Sequence, residues 1–124
     1  FELEDKKMTD SAKLPLSKLK NLTTENNATL IVVFIPYREY FYQDFIQNSS
    51  LYNFNFEITQ FNLICEELKL SCIDIRNSFE SKIKNGSDVY FRPLDGHINE
   101  LGNKIIADEI YSYINSHGFL KRVA

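Results

Sequence analysis

Cysteine is scarce in this sequence, with two in 124 residues, at Cys65 and Cys72. Two cannot build the multi-bridge framework that holds small secreted scaffolds together. Cys65 falls in the apolar stripe of a helical pattern and Cys72 opens a strand pattern. Two buried free thiols is the reading this favours, and a bridge from helix to strand is the alternative. Histidine is equally scarce, at His97 and His117. No His or Cys stands at ligand spacing from another, so neither a zinc site nor any other cofactor is expected. Excess positive charge is missing too: the net charge is −3, and no basic stripe marks a nucleic-acid surface. No apolar run approaches the ~20 residues of a membrane-crossing helix, so no membrane segment is expected. No secretory signal is visible. The first residue is Phe rather than Met, so the chain is expected to begin inside a longer product, with room for a targeting segment removed upstream.

What is present is enough for a core. Apolar residues make up 44% and aromatics 14%, which argues against disorder. The length fits one domain or a piece of one. Residues 1–9 include a charged run expected to fray. Residues 11–22 carry Leu14, Leu16, Leu19 and Leu22 among lysines, a one-sided helix with Pro15 near its first turn. Asn26 and Asn27 break it. Residues 30–35 form an unbroken β-rich apolar run, which predicts a strand buried on both faces, the habit of parallel sheets covered by helices. Pro36 ends it.

Residues 37–46 predict a short aromatic helix and 48–53 a polar loop. A helix follows over 54–68, with Phe54, Ile58, Phe61, Cys65 and Leu68 on one stripe. Residues 72–75 predict a second strand, parallel to the first because a helical crossover joins them. A weaker helix covers 76–84, and Asn85-Gly86 is a turn. The last helix begins at an Asn99 N-cap, buries Leu101, Ile105, Ile106, Ile110 and Ile114, and ends at His117-Gly118. The order is α/β. Two strands make a poor sheet, so the chain is expected to be a single partial domain, the later half of a doubly wound one. Such a half leaves apolar surface to be covered by the missing half or by self-association.

The chemistry concentrates in Tyr90-Phe91-Arg92-Pro93-Leu94-Asp95-Gly96-His97-Ile98-Asn99-Glu100-Leu101-Gly102. An aspartate two residues before a histidine can accept a hydrogen bond from one imidazole nitrogen. The other nitrogen is then left to move a proton on a nucleophile. That is two thirds of a hydrolytic triad, and no serine in a nucleophile block accompanies it.

These residues resemble the C-terminal half of an SGNH (GDSL-like) hydrolase, a flavodoxin-like three-layer α/β/α fold. Ile31-Val32-Val33-Phe34-Ile35-Pro36-Tyr37-Arg38-Glu39 is similar to the family's fourth strand with its proline exit. Residues 65–75 resemble its helix, turn and strand ending in an aspartate-containing segment. Asp95-Gly96-His97-Ile98-Asn99-x-x-Gly102 followed by Ala107 resembles the last block, where Asp and His complete the triad. The resemblance covers residues 28–114. It implies His97 as the base and Asp95 as its orienter in a serine esterase or O-acyl transferase. The ester substrate would include O-acetylated sugars. The family's Gly-Asp-Ser block and the glycine and asparagine of its oxyanion hole have no counterpart. The spacing Asp-x-His replaces the commoner Asp-x-x-His, as in some sugar O-acetyl-transfer members, and Ile98 replaces the usual Pro or Trp.

Other candidates have plainer readings. Gly86-Ser87-Asp88 follows no buried strand and reads as a turn. Ser49 and Ser50 have no neighbouring base. Arg38 and Glu39 follow a strand's C-terminal end, where α/β sites gather, but read as a surface ion pair. Tyr37, Tyr40, Phe41 and Tyr42 read as a sugar-stacking platform or a core and rim cluster. His117 reads as a dipole-favoured surface residue. The Asn-x-Ser/Thr triplets at Asn21, Asn27, Asn48 and Asn85 fit chance in an Asn-rich chain. The expected function is therefore the Asp/His-bearing part of an ester hydrolase or acyl transferase, inactive alone for want of a serine. Its rival is a non-catalytic binding or assembly module, and a serine block encoded upstream of Phe1 separates the two.

Overall fold

Helix α1 spans Glu2–Glu25 in the computed structural model, which describes residues 2–42, 54–91 and 95–120. The helix exceeds the periodic stretch at both ends. Its backbone is helical from Glu2, across the run expected to fray, because Glu and Lys are good helix formers. Pro15 therefore lies in its interior, where it cannot donate to the carbonyl four residues back. The helix ends with Asn27 left-handed at φ 54°. The Ala28 amide donates to the Thr23 carbonyl at 2.8 Å and the Asn27 amide to that of Thr24 at 3.1 Å, paired bonds that satisfy the last carbonyls.

The remaining elements are β1 (Ile31–Phe34), α2 (Arg38–Phe41), α3 (Phe54–Glu67), β2 (Ser71–Asp74), α4 (Arg76–Lys84) and α5 (Glu100–Ser116). Strands β1 and β2 pair in parallel, as the helical crossover through α3 requires. The pattern is a partial α/β one. The strands are less buried than the apolar run predicts: all four β1 residues are half-buried. The reason is that the sheet, among the described residues, has two strands, so each keeps an open edge. The polar loop expected over 48–53 lies outside the described residues.

Contacts divide the chain into two compact units. The first comprises the described parts of Phe1–Val32 and Ser50–Cys72. There α1 packs on α3, with Ile58 and Ile64 buried. Lys13 pairs with Glu67. The Lys20 ammonium donates to the Leu68 carbonyl and, at 3.4 Å, to that of Lys69. It thus supplies a cation where α3's last carbonyls lack helical partners. Helix α3 closes as α1 does, with Lys69 at φ 50° and the Leu70 amide on the Cys65 carbonyl at 2.9 Å. This reversal sends the chain back along its own helix. The Cα atoms of Cys65 and Cys72 lie 6.3 Å apart and the residues form a disulfide, so the free-thiol reading is corrected. The pattern of residues did not reveal that a lysine would take the left-handed position that turns the chain. Closing so short a loop restricts the unfolded chain by about 2.5 kcal/mol. Cys65→Ser with Cys72→Ser is expected to lower unfolding free energy by that amount in urea titration, and an unchanged midpoint would contradict it. Ala12, Leu16, Phe61, Ile64 and Leu70 also border an apolar cleft of about 250 Å³. Leu14, Leu19 and Leu22 of α1 remain exposed.

The second unit comprises the described parts of Val33–Ser49 and Ile73–Ala124. Helix α4 packs on α5, and Ile73, Ile75, Phe79, Val89, Tyr90 and Ile105 form the core. On α5, Gly102 and Ile105 are buried, while Leu101, Ile106, Ile110 and Ile114 are half-buried. The helix ends as expected, with Gly118 at φ 68° and the Phe119 amide on the Ile114 carbonyl at 3.1 Å.

Candidate functional site

The site grows from one side chain, Asn99. Its Oδ1 accepts the Gly102 amide at 3.0 Å and caps α5. Its Nδ2 donates to the Asp88 carbonyl at 2.8 Å and the Tyr90 carbonyl at 3.3 Å. Its backbone amide donates to the Val89 carbonyl at 3.0 Å. One residue thus starts the last helix and ties it to the segment 88–91. An antiparallel bridge between Tyr90 and Ile98 continues the tie, and the Phe91 amide donates to the His97 carbonyl at 2.9 Å. Tyr90 anchors that segment in turn. Its ring packs edge-on against Phe79, with centroids 5.7 Å apart. Its hydroxyl donates to the Pro36 carbonyl at 2.6 Å, and burial pushes its pKa well above the ordinary tyrosine range.

Gly102 is where α5 meets this segment most closely. A Cβ there would stand 2.4 Å from the Val89 carbonyl oxygen and 2.4 Å from the Ile98 Cγ2. Only a glycine permits the approach.

The loop so held carries Asp95 and His97. The Asp95 Oδ1 accepts the His97 backbone amide at 2.9 Å and faces the ring Nδ1 at 2.5 Å. The first bond is an Asx-type turn, which folds the carboxylate back over one intervening residue. It needs no left-handed glycine: Gly96 has no positive φ. With an ionised acceptor at Nδ1, the ring carries its proton there and presents Nε2 outward. The His97 side chain is 89% exposed, so Nε2 is accessible. The bonds from the His97 amide and ring, aided by the Arg38 charge, hold the Asp95 carboxyl below the usual carboxylate range. Asp95 therefore stays an acceptor well into mild acid. Among the described residues no serine hydroxyl bonds to this imidazole.

Arg38 and Glu39 form the expected ion pair at 2.8 Å, with side chains 16% and 35% exposed, so it is half-buried and not at the open surface. Arg76 grips Asp74 through Nε and Nη2, at 2.9 and 2.6 Å to Oδ2, and its guanidinium lies 5.8 Å from the Tyr40 ring centre. Asn99 was legible as a cap, but its bonds to segment 88–91 carry no local signal.

The plainer candidates resolve differently. Asp88 accepts the Tyr42 hydroxyl at 3.2 Å, and the Ser87 amide closes onto the Lys82 carbonyl at 3.0 Å, so Gly86-Ser87-Asp88 is a turn. Phe41 and Tyr42 pack on Tyr90, whereas Tyr37 is exposed. The His117 Nδ1 sits 2.9 Å from the Tyr113 carbonyl, with the two rings stacked 3.9 Å apart, at the end of α5. Asn21, Asn27 and Asn85 are exposed; Asn48, Ser49 and Ser50 lie outside the described residues. Among the described residues no helix is long and apolar enough to cross a membrane.

A family model described as SGNH hydrolase-like domain, acetyltransferase AlgX, matches residues 2–123. No curated protein and no solved structure gives a significant match.

Proposed function

The chain belongs to the family of SGNH hydrolase-like domains of the acetyltransferase AlgX type, and from that membership we propose that it supplies the acid–base half of an ester-cleaving or acyl-transferring site. The observation that supports this is the Asp95–His97 pair, hydrogen-bonded at 2.5 Å with Nε2 outward. The nucleophile in this reading is a serine from outside the described residues, on a part of the polypeptide upstream of Phe1.

The serine hydroxyl gives its proton to His97 Nε2 as its oxygen attacks the ester carbonyl carbon. Asp95 stabilises the imidazolium through Nδ1–H. As the tetrahedral intermediate collapses, Nε2 returns the proton to the departing alcohol oxygen, leaving an acyl-serine. A second hydroxyl, from water or from an acceptor sugar, then gives its proton to Nε2 and attacks the acyl carbon, which frees the serine. The family description points to acetyl groups, so the substrate in this reading is an acetyl ester, on a sugar hydroxyl as the case with most precedent in the sequence resemblance. No metal is invoked.

The chain alone is expected to leave p-nitrophenyl acetate intact, because a base without a nucleophile or oxyanion donors stabilises no tetrahedral intermediate. Adding the upstream polypeptide is expected to restore turnover and to shift the sedimentation of the chain, with the exposed leucines of α1 among the surface available for association. Turnover by the chain alone, lost in His97→Ala, would place the serine within it. A bound upstream partner without any turnover would favour the non-catalytic module.

A further inference from the structure

Arg38 opens α2 directly after the β1 exit, and at 16% exposure its side chain is well covered for an arginine. The guanidinium carbon lies 4.0 Å from where a Cβ on Gly96 would stand, so the planar group lies beside the middle residue of the Asp95-Gly96-His97 turn. Its Nη2 holds Glu39 at 2.8 Å. Resting on the reading of Asp95 and His97 as the acid–base pair, we infer that Arg38 is a positioning residue of that pair. From beside Gly96 it holds Asp95 as the charged acceptor of the imidazole Nδ1–H.

The argument is one of charge and contact. A carboxylate that is 54% exposed is screened by water, so one turn of chain holds it loosely. A guanidinium beside the same turn, itself only 16% exposed, adds a less mobile positive charge near it. The groups acting on the Asp95 carboxylate are His97 in its own loop and Arg38 from α2. Glu39 stands behind Arg38 and offsets part of its charge. Asp74 and Arg76, by contrast, satisfy each other in a fork.

The test is the titration of Asp95, followed through its side-chain carboxyl carbon resonance in the 124-residue chain. Arg38→Gln is expected to move the Asp95 midpoint upward. Glu39→Gln, which removes the offsetting charge, is expected to move it downward. Arg38→Lys, which keeps the charge, is expected to hold it near the native value. Opposite signs from two adjacent positions are not the signature of a merely structural role. Midpoints that stay at the native value in both Gln variants, or that move in the same direction, overturn the inference. If Arg38→Gln fails to fold, the Glu39→Gln shift decides alone. No turnover is needed, so this result stands apart from the acid–base reading. That reading fails instead if the complete enzyme keeps its activity in His97→Ala.

Discussion

Gly102→Ala is expected to destabilise the fold by about 3 kcal/mol, the upper part of the range for forcing a methyl group into packed surroundings. The new Cβ would meet the Val89 carbonyl oxygen and the Ile98 Cγ2 at 2.4 Å each. A flexible side chain could give way, but the Val89 oxygen is backbone and accepts the Asn99 amide at 3.0 Å. Relieving the clash means lifting α5 off segment 88–91, which breaks that bond and strains the Tyr90–Ile98 bridge. For a chain of this size the loss corresponds to a fall in Tm on the order of 10 °C. Thermal unfolding followed by circular dichroism measures it. A drop of less than about 1 kcal/mol would mean that the helix is seated more loosely than the structure shows. Because the same contact seats the loop carrying His97, the variant is also expected to lengthen the Asp95–His97 bond, visible in the imidazole resonances.

His97→Ala is expected to leave stability almost untouched and to lower kcat of the serine-containing enzyme by about 10³ to 10⁴. Stability is spared because the side chain is 89% exposed and buries little. Activity is lost because, in the proposed reading, His97 takes the serine proton. Asp95→Asn keeps the shape but removes the charged acceptor, and it is expected to lower kcat in the same direction. The sign of the pH effect follows from the depressed Asp95 carboxyl. Its folded pKa lies below the unfolded one. The stabilising pair is therefore fully present above the ordinary carboxylate value and is lost as pH falls through the lower folded value. Steady-state kinetics of the purified variants checks both substitutions, and a His97→Ala enzyme within tenfold of native would remove His97 from the chemistry.

The sequence by itself determined the parts whose cause is local. The 76–84 helix, the glycine stops at Gly86 and Gly118, and the Asn99 cap follow from propensity, left-handed backbone and side-chain capping, all of which act within a few residues. The dyad was legible for a related reason, since an Asx turn can bring Asp95 onto His97 across a single residue. Tertiary structure alone decided the rest. Lys69 in the left-handed region turned Cys72 onto Cys65. Strand β1 stayed half-buried despite an unbroken apolar run, because burial depends on neighbours and not on the strand's own residues. Arg38 came to lie beside Gly96, 58 positions away in the sequence, and Gly102 came against the Val89 carbonyl, with no room for a Cβ. Each depends on where one segment packs against another, which the residues of neither segment encode by themselves.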